Sequence, residues 1–152
     1  MNRLLKYCKA YCDSQGWKYT LNEDEEYIRL QMSMEEVDHV TIFIRARENS
    51  FTTNTYFPIN AAAAKRDAIS EFICRANYGL VIGCFEMDYT DGEIRYRTTG
   101  CFKNIDPNLD SIETLVDMGF LMFNRYTPGL MGVLYGGMDP KNAVDMCEKS
   151  ND

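Results

Sequence analysis

The stretch YIRLQMSMEEVDHVTIFIRARENSFTTNTYFPI, residues 27–59, decides the fold because apolar and polar residues alternate along most of it. Its apolar set recurs at every second position: Ile28, Leu30, Met32, Met34, Val40, Ile42, Ile44 and Ala46. The intervening set is mixed: Tyr27, Arg29, Gln31, Ser33, His39, Thr41, Phe43, Arg45 and Arg47. A period of two is typical of half-buried strands. With the run Phe51–Ile59, it predicts a three-stranded antiparallel meander covered on one face.

Helical patterns flank this meander on both sides. Residues 2–15 have an amphipathic period that places Cys8 and Cys12 on the inner side, and Gly16 is expected to end that helix. A leading strand is expected to begin at Trp17. Downstream, Asn60 is expected to cap a helix that opens with residues 61–64, all alanine, and ends at Tyr78-Gly79.

A β-hairpin is predicted around Asp91-Gly92, a pair favoured in two-residue hairpin loops. The expected pairs are Tyr89–Ile94, Asp88–Arg95, Met87–Tyr96 and Glu86–Arg97. This register brings apolar residues together on one face and opposite charges together on the other. A slip of one residue would destroy both matches.

The C-terminal third is predicted to be helical. A long helix should start at Asp110 or Ser111 and break at Pro128-Gly129. A last short helix should start at Asp139-Pro140, with proline at its first helical position. No linker or repeat divides the sequence, so residues 1–152 are interpreted as one α+β domain, an antiparallel sheet with helices packed on it.

Composition limits the classes of function. The chain has 152 residues, 45% of them hydrophobic, and a net charge of −7. That size and balance suit a folded domain, and the negative charge disfavours nucleic acid as a partner. No apolar run reaches the roughly 20 residues of a membrane span, and the first residues do not resemble a signal peptide. We therefore expect a cytoplasmic protein with reduced thiols, most of its six cysteines being small core residues.

No residue pattern predicts a catalytic, metal or cofactor site. Cys8 and Cys12 lack a second close pair of zinc ligands. His39, the only histidine, has no nucleophile at a suitable spacing on its strand and is interpreted as a surface residue. The carboxyls of Glu86 and Asp88 would face cross-strand arginines, which lower a carboxyl pKa, whereas a general acid needs a raised one. The glycines after residue 128 follow a helix and do not form a phosphate loop.

The ordered motifs resemble those of the YbjN-domain family. The segment NYGLVIGCFEMDYTDGEIRYR, residues 77–97, is similar to the middle of those proteins: a helix ending in Asn77, then Gly83 and Phe85, then the acidic-glycine turn and Arg-aromatic-Arg. Residues 133–145, VLYGGMDPKNAVD, are similar to the family's closing Gly-Gly and short helix. The resemblance implies a fold similar to type III secretion chaperones and a role in sensory transduction or stress regulation. Chaperones of that shape are often dimeric, bind extended protein segments and are not enzymes.

One region is more apolar than a monomer core requires. Residues 118–135 carry apolar side chains on several helix faces, and a helix that is apolar on most sides is normally buried on most sides. We expect this region to contribute to a homodimer interface or to a groove for a protein partner, through Met118, Leu121, Leu130, Met131, Leu134 and Tyr135. The alternative is a C-terminal segment that folds back over the helix. For the whole protein, a non-catalytic protein-binding module and a small-ligand sensor or unrecognised enzyme both remain open.

Overall fold

A computed structural model describes residues 1–149, which form four α-helices and a six-stranded sheet. The helices are α1 (Arg3–Ser14), α2 (Arg66–Tyr78), α3 (Leu109–Tyr135) and α4 (Pro140–Lys149). The strands are β1 (Thr20–Asn22), β2 (Tyr27–Ser33), β3 (His39–Ala46), β4 (Ser50–Tyr56), β5 (Cys84–Met87) and β6 (Ile94–Cys101). The α+β class is confirmed. None of the described helices combines the length and the apolar character needed to cross a bilayer.

The sheet is antiparallel throughout, in the order β1-β2-β3-β4-β6-β5. The predicted meander forms β2, β3 and β4, and the predicted hairpin joins it through pairing of β6 with β4. The leading strand starts at Thr20 and not at Trp17, whose ring packs edge-on against Tyr11 of α1 at 5.4 Å between centroids. Helices α1, α2 and α3 all cover one face of the sheet, and α4 packs on α2 and α3.

The core has two apolar clusters with a polar seam between them. One cluster lies under α1 and the N-terminal half of α3, and the other under α2, α4 and the C-terminal half of α3. The seam consists of the buried threonines Thr53, Thr55 and Thr98. The Thr98 hydroxyl donates to the Leu115 carbonyl of α3. Gly119 lies over Thr55, so that α3 approaches β4 closely at this point.

Helix α3 does not break at Pro128-Gly129, and this prediction is wrong. Proline removes one helix donor and crowds the preceding turn. At this turn the Gly129 N–H donates to the Cys147 Sγ of α4 at 3.2 Å, and the thiol donates to the Tyr126 carbonyl at 3.7 Å. The apolar residues of the next two turns then continue into the core. Packing against α4 therefore keeps the second half of α3 helical.

The hairpin is present, but its predicted register is wrong by two residues. The observed pairs are Met87–Ile94, Glu86–Arg95, Phe85–Tyr96 and Cys84–Arg97. The turn is longer than two residues because the Asp88 side chain accepts the Thr90 N–H at 2.8 Å and its carbonyl accepts the Gly92 N–H at 2.7 Å. A shift of two keeps every side chain on its predicted face.

The alanine run does not open α2 as predicted, because it is tied to the hairpin turn. The Ala61 N–H donates to the Gly92 carbonyl at 2.8 Å, which holds this segment away from helical geometry. Gly92 has a φ of +79° and no room for a side chain beside Ala61. Asn60 does not act as the cap, since its amide donates to the Asp91 carbonyl at 3.3 Å. A short 3₁₀ turn follows, and α2 begins at Arg66.

We predict that Gly119→Ala destabilises the fold. The new Cβ would overlap the Thr55 hydroxyl and lie 2.6 Å from the Thr55 Cβ. Overpacking of this kind costs about 1–3 kcal/mol, which outweighs the gain of roughly 0.5–1 kcal/mol that alanine gives inside a helix. Urea unfolding followed by circular dichroism measures the change. The matched control is Gly79→Ala, whose Cβ would meet only the Glu148 carboxylate at 4.0 Å. Equal stability of the two variants would contradict close packing at Gly119.

Candidate protein-interaction surface

The face of the sheet opposite the helices is uncovered in the described structure, and we call it the open face. Strand register arranges its side chains in three cross-strand rows. The rows are Tyr27–Arg45–Thr52–Thr99, Arg29–Phe43–Asn54–Arg97–Cys84 and Gln31–Thr41–Tyr56–Arg95–Glu86. Most of these side chains are half-buried, because each is flanked by neighbours in its own sheet but by no second layer.

An aromatic pair with an arginine above it occupies the β2–β3 side of the open face. The rings of Tyr27 and Phe43 stack with centroids 4.5 Å apart and an interplanar angle of 28°. The Arg45 guanidinium lies 5.7 Å from the first ring centroid and 5.3 Å from the second, within the range of a cation–π contact. Arg45 also donates to the Glu25 carbonyl at 3.3 Å. These contacts hold a positive charge over an apolar surface.

A glutamate shared by two arginines occupies the β5–β6 side. Arg95 Nε and Arg97 Nε donate to Glu86 Oε1 at 3.0 and 2.9 Å, and a second Arg97 nitrogen donates to Oε2 at 3.0 Å. Hydrogen bonding from Arg97, followed by that from Arg95, lowers the pKa of Glu86. The pKa of Asp88 is also lowered, as expected, but chiefly by the Thr90 backbone N–H, because Asp88 lies in the turn.

The open face differs in charge from the rest of the molecule. The three rows contain four arginines and one glutamate, a net charge of +3, in a chain whose total is −7. The remainder of the chain therefore carries −10. The alternation in residues 27–47 already indicated the mixed face, but the arginines of β6 join it only through pairing of β6 with β4. The structure groups Arg45 with Arg29, Arg95 and Arg97.

The β5 edge of the sheet is closed by a side chain. Asn77, at the end of α2, accepts the Phe85 N–H at 2.8 Å and donates to the Phe85 carbonyl at 2.9 Å. These are the two bonds that another strand would otherwise make to Phe85. The addition of a partner strand at Phe85 is therefore disfavoured.

The region predicted as a partner surface, residues 118–135, divides between core and surface. Leu130 and Leu134 lie in the protein's own core, with exposed fractions of 0% and 6%, so these two are not available to a partner. Met118 and Met131 are half-buried against the same core. Leu121 and Tyr135 are 49% and 69% exposed. Helix α4 covers part of α3, which agrees with the alternative of a C-terminal segment folding back.

Two titratable side chains form a contact between α1 and α3. The Tyr11 hydroxyl of α1 donates to Asp117 Oδ2 of α3 at 2.8 Å, and burial raises the pKa of Asp117.

The Nδ1 atom of His39 lies 2.8 Å from Asp38 Oδ2, and 30% of the His39 side chain is exposed. Within residues 1–149, no three histidine, cysteine or acidic side chains are placed to hold a metal ion together.

The cysteines divide into core and surface groups. Cys8, Cys12 and Cys147 are buried, and burial raises the pKa of both Cys8 and Cys12 to about 12. Cys84 is half-buried, and Cys74 and Cys101 are exposed. The expectation that most cysteines are core residues is wrong, since only three of the six are buried.

Comparison with known proteins identifies the family. Residues 9–131 match the model of the YbjN family, described as "Putative bacterial sensory transduction regulator". The match spans most of the chain, which therefore belongs to the YbjN family. A search of curated proteins finds no match.

A solved structure supports the fold. The chain is similar to the crystal structure of "YbjN, a putative transcription regulator from E. coli", with a TM-score of 0.54 and 9% sequence identity. The alignment covers 81% of this chain and 92% of that chain. At this identity the likeness concerns the fold alone. The family resemblance is confirmed: residues 77–97 lie within the matched range, whereas residues 133–145 lie beyond it.

We predict that Glu86→Gln lowers stability at neutral pH only. The folded-state pKa of Glu86 lies below its ordinary value of 4.5. The ionised carboxylate therefore stabilises the fold fully at pH values above 4.5, and this contribution is lost as the pH falls through the folded-state pKa. The side chains are partly exposed, so the loss at pH 7 should be about 1 kcal/mol or less. Urea unfolding at pH 7 and at acidic pH measures it. The matched control is Glu71→Gln, which removes an exposed i,i+4 pair with Arg75 on α2. A Glu86 effect independent of pH would contradict the ionic explanation.

Proposed function

We propose that this YbjN-family protein is a non-catalytic, chaperone-like or regulatory protein-binding module of the cytoplasm, and that the open face is its contact surface. The observation that carries this proposal is the group of arginine and aromatic side chains left uncovered on that face. The family description as a regulator agrees with such a role at a coarse level.

The chemistry of the open face suits protein recognition. Arginine and tyrosine are enriched in protein interfaces and at the residues that dominate binding energy. Arg45 is preorganised by stacking, and Arg95 and Arg97 by Glu86, so binding a partner orders few additional side chains at these three positions. The one-sided sheet also supports the chaperone-like part of the proposal, since a sheet covered by helices on one face offers a broad surface to an extended segment.

Site-specific photo-crosslinking in cells tests this proposal. A photoreactive phenylalanine analogue is placed at Phe43 or Tyr56 on the open face, and the control position is Tyr78, an exposed tyrosine at the end of α2. We expect a discrete protein adduct of constant mass from Phe43 or Tyr56, and none at that mass from Tyr78. The same adduct from all three positions, or no adduct from the open face, would overturn the proposal. A saturable thermal shift with a single metabolite, combined with no adduct, would favour a small-ligand sensor instead.

Homodimerisation through α3 is a second candidate, favoured by the exposure of Leu121 and Tyr135. Sedimentation velocity over a range of concentrations tests it, with Leu121→Glu and Tyr135→Glu as variants. If this surface forms a dimer, the wild-type protein sediments as a dimer and the variants shift toward monomer. The control is Leu109→Glu, at a leucine that is 60% exposed at the start of α3. A wild-type protein that remains monomeric at high concentration would exclude the dimer.

A further inference from the structure

We propose that the open face binds an extended, acidic protein segment that carries an aromatic or large apolar residue between its carboxylates. This inference rests on the proposed function and adds the chemistry of the partner. It follows from the charge, spacing and stacking of the side chains on the open face.

The open face has more arginines than carboxylates to pair with them. Among the ion pairs of the described residues, Glu86 is the one carboxylate that pairs with arginines of the open face, and it is shared by Arg95 and Arg97. Arg45 donates to a backbone carbonyl, and within residues 1–149 Arg29 forms no ion pair with a carboxylate. Two arginines, Arg29 and Arg45, therefore lack a carboxylate, and Arg95 and Arg97 share the single negative charge of Glu86. Guanidinium groups bind carboxylates through charge-assisted, often bidentate hydrogen bonds.

The spacing of the arginines across the sheet suits an extended chain. Arg29 and Arg97 stand in the same cross-strand row, separated by Phe43 and Asn54. Three strand intervals of about 4.8 Å each place these two backbones roughly 14 Å apart. An extended chain covers that distance with about four residues, so carboxylates four or so residues apart can reach both arginines. The residues between them would pass over Phe43 and Asn54, beside Tyr56. Contact with the edges of these rings favours an aromatic or apolar side chain there.

The same observations favour a peptide over single-stranded nucleic acid. Base stacking needs an accessible aromatic face, but Tyr27 and Phe43 stack on each other and lie under Arg45. The rest of the chain carries −10, which would repel a phosphate backbone extending beyond the open face. A short acidic segment can place its charges on the arginines without extending far over the rest of the molecule.

Fluorescence anisotropy with three labelled probes tests the inference on the full-length protein. The probes are a peptide with glutamates on either side of a tryptophan, the same peptide with lysine in place of glutamate, and an oligouridine. We expect saturable binding of the acidic peptide, weakened by added salt, and no comparable binding of the other two. The double variant Arg29→Gln and Arg45→Gln should weaken this binding about tenfold. The matched control, Arg75→Gln and Lys103→Gln, removes the same charge from α2 and a loop and should leave the affinity unchanged.

A charge-reversed variant distinguishes a change in peptide preference from a simple loss of binding. The variant Arg29→Glu and Arg45→Glu should lose the acidic peptide and gain the lysine peptide, while its circular dichroism confirms folding. Tighter binding of oligouridine, or equal losses in the control variant, would overturn the inference. If crosslinking captures a protein but the acidic peptide does not bind, the partner chemistry is wrong while the proposed function stands. If crosslinking captures no protein, the proposed function itself fails.

Discussion

The packing of α1, α2 and α3 on one face of a single sheet is the constraint on which the rest of the structure depends. Strand residues alternate between faces, so one alternating pattern specifies both the buried side and the uncovered side. The buried side supplies the apolar clusters that stabilise the fold. The uncovered side is then free to carry arginines, aromatic rings and Glu86 at little cost to the core. In the proposed function, stability and recognition lie on opposite faces of the same strands.

Helix α3 connects the two apolar clusters, and its contact with the sheet depends on small and polar residues. Gly119 lets the helix approach Thr55, while Thr98 binds the helix backbone at Leu115. Farther along, the Cys147 thiol of α4 accepts the Gly129 N–H next to Pro128. A long helix with an internal proline is thus supported by tertiary contacts at two separate points.

Each difference between prediction and structure has a specific hydrogen bond or packing contact as its cause. The sequence predicts the hairpin, yet its register follows from side-chain and backbone bonds within the turn at Asp88 and Gly92. Alanine's helix propensity is overridden at residue 61 by a bond to that same turn. Pro128 is a strong local break signal, but the core packing of the following turns outweighs it. For the alanine run and for Pro128, contacts between distant segments decide the outcome. The hairpin register instead follows from bonds inside the turn, which residue spacing alone does not predict.

The sequence by itself determined the α+β class, the meander, the approximate helices and the family, because strand alternation, helical period and turn residues are local signals. It also determined that one face of the meander carries polar, charged and aromatic side chains together. Only the tertiary structure decided that β6 pairs with β4, which brings Arg95 and Arg97 beside the arginines of β2 and β3. It also decided that Leu130 and Leu134 are core residues while Leu121 and Tyr135 stay exposed. Both results depend on which elements become neighbours, and that choice is made by packing energy summed over the whole core.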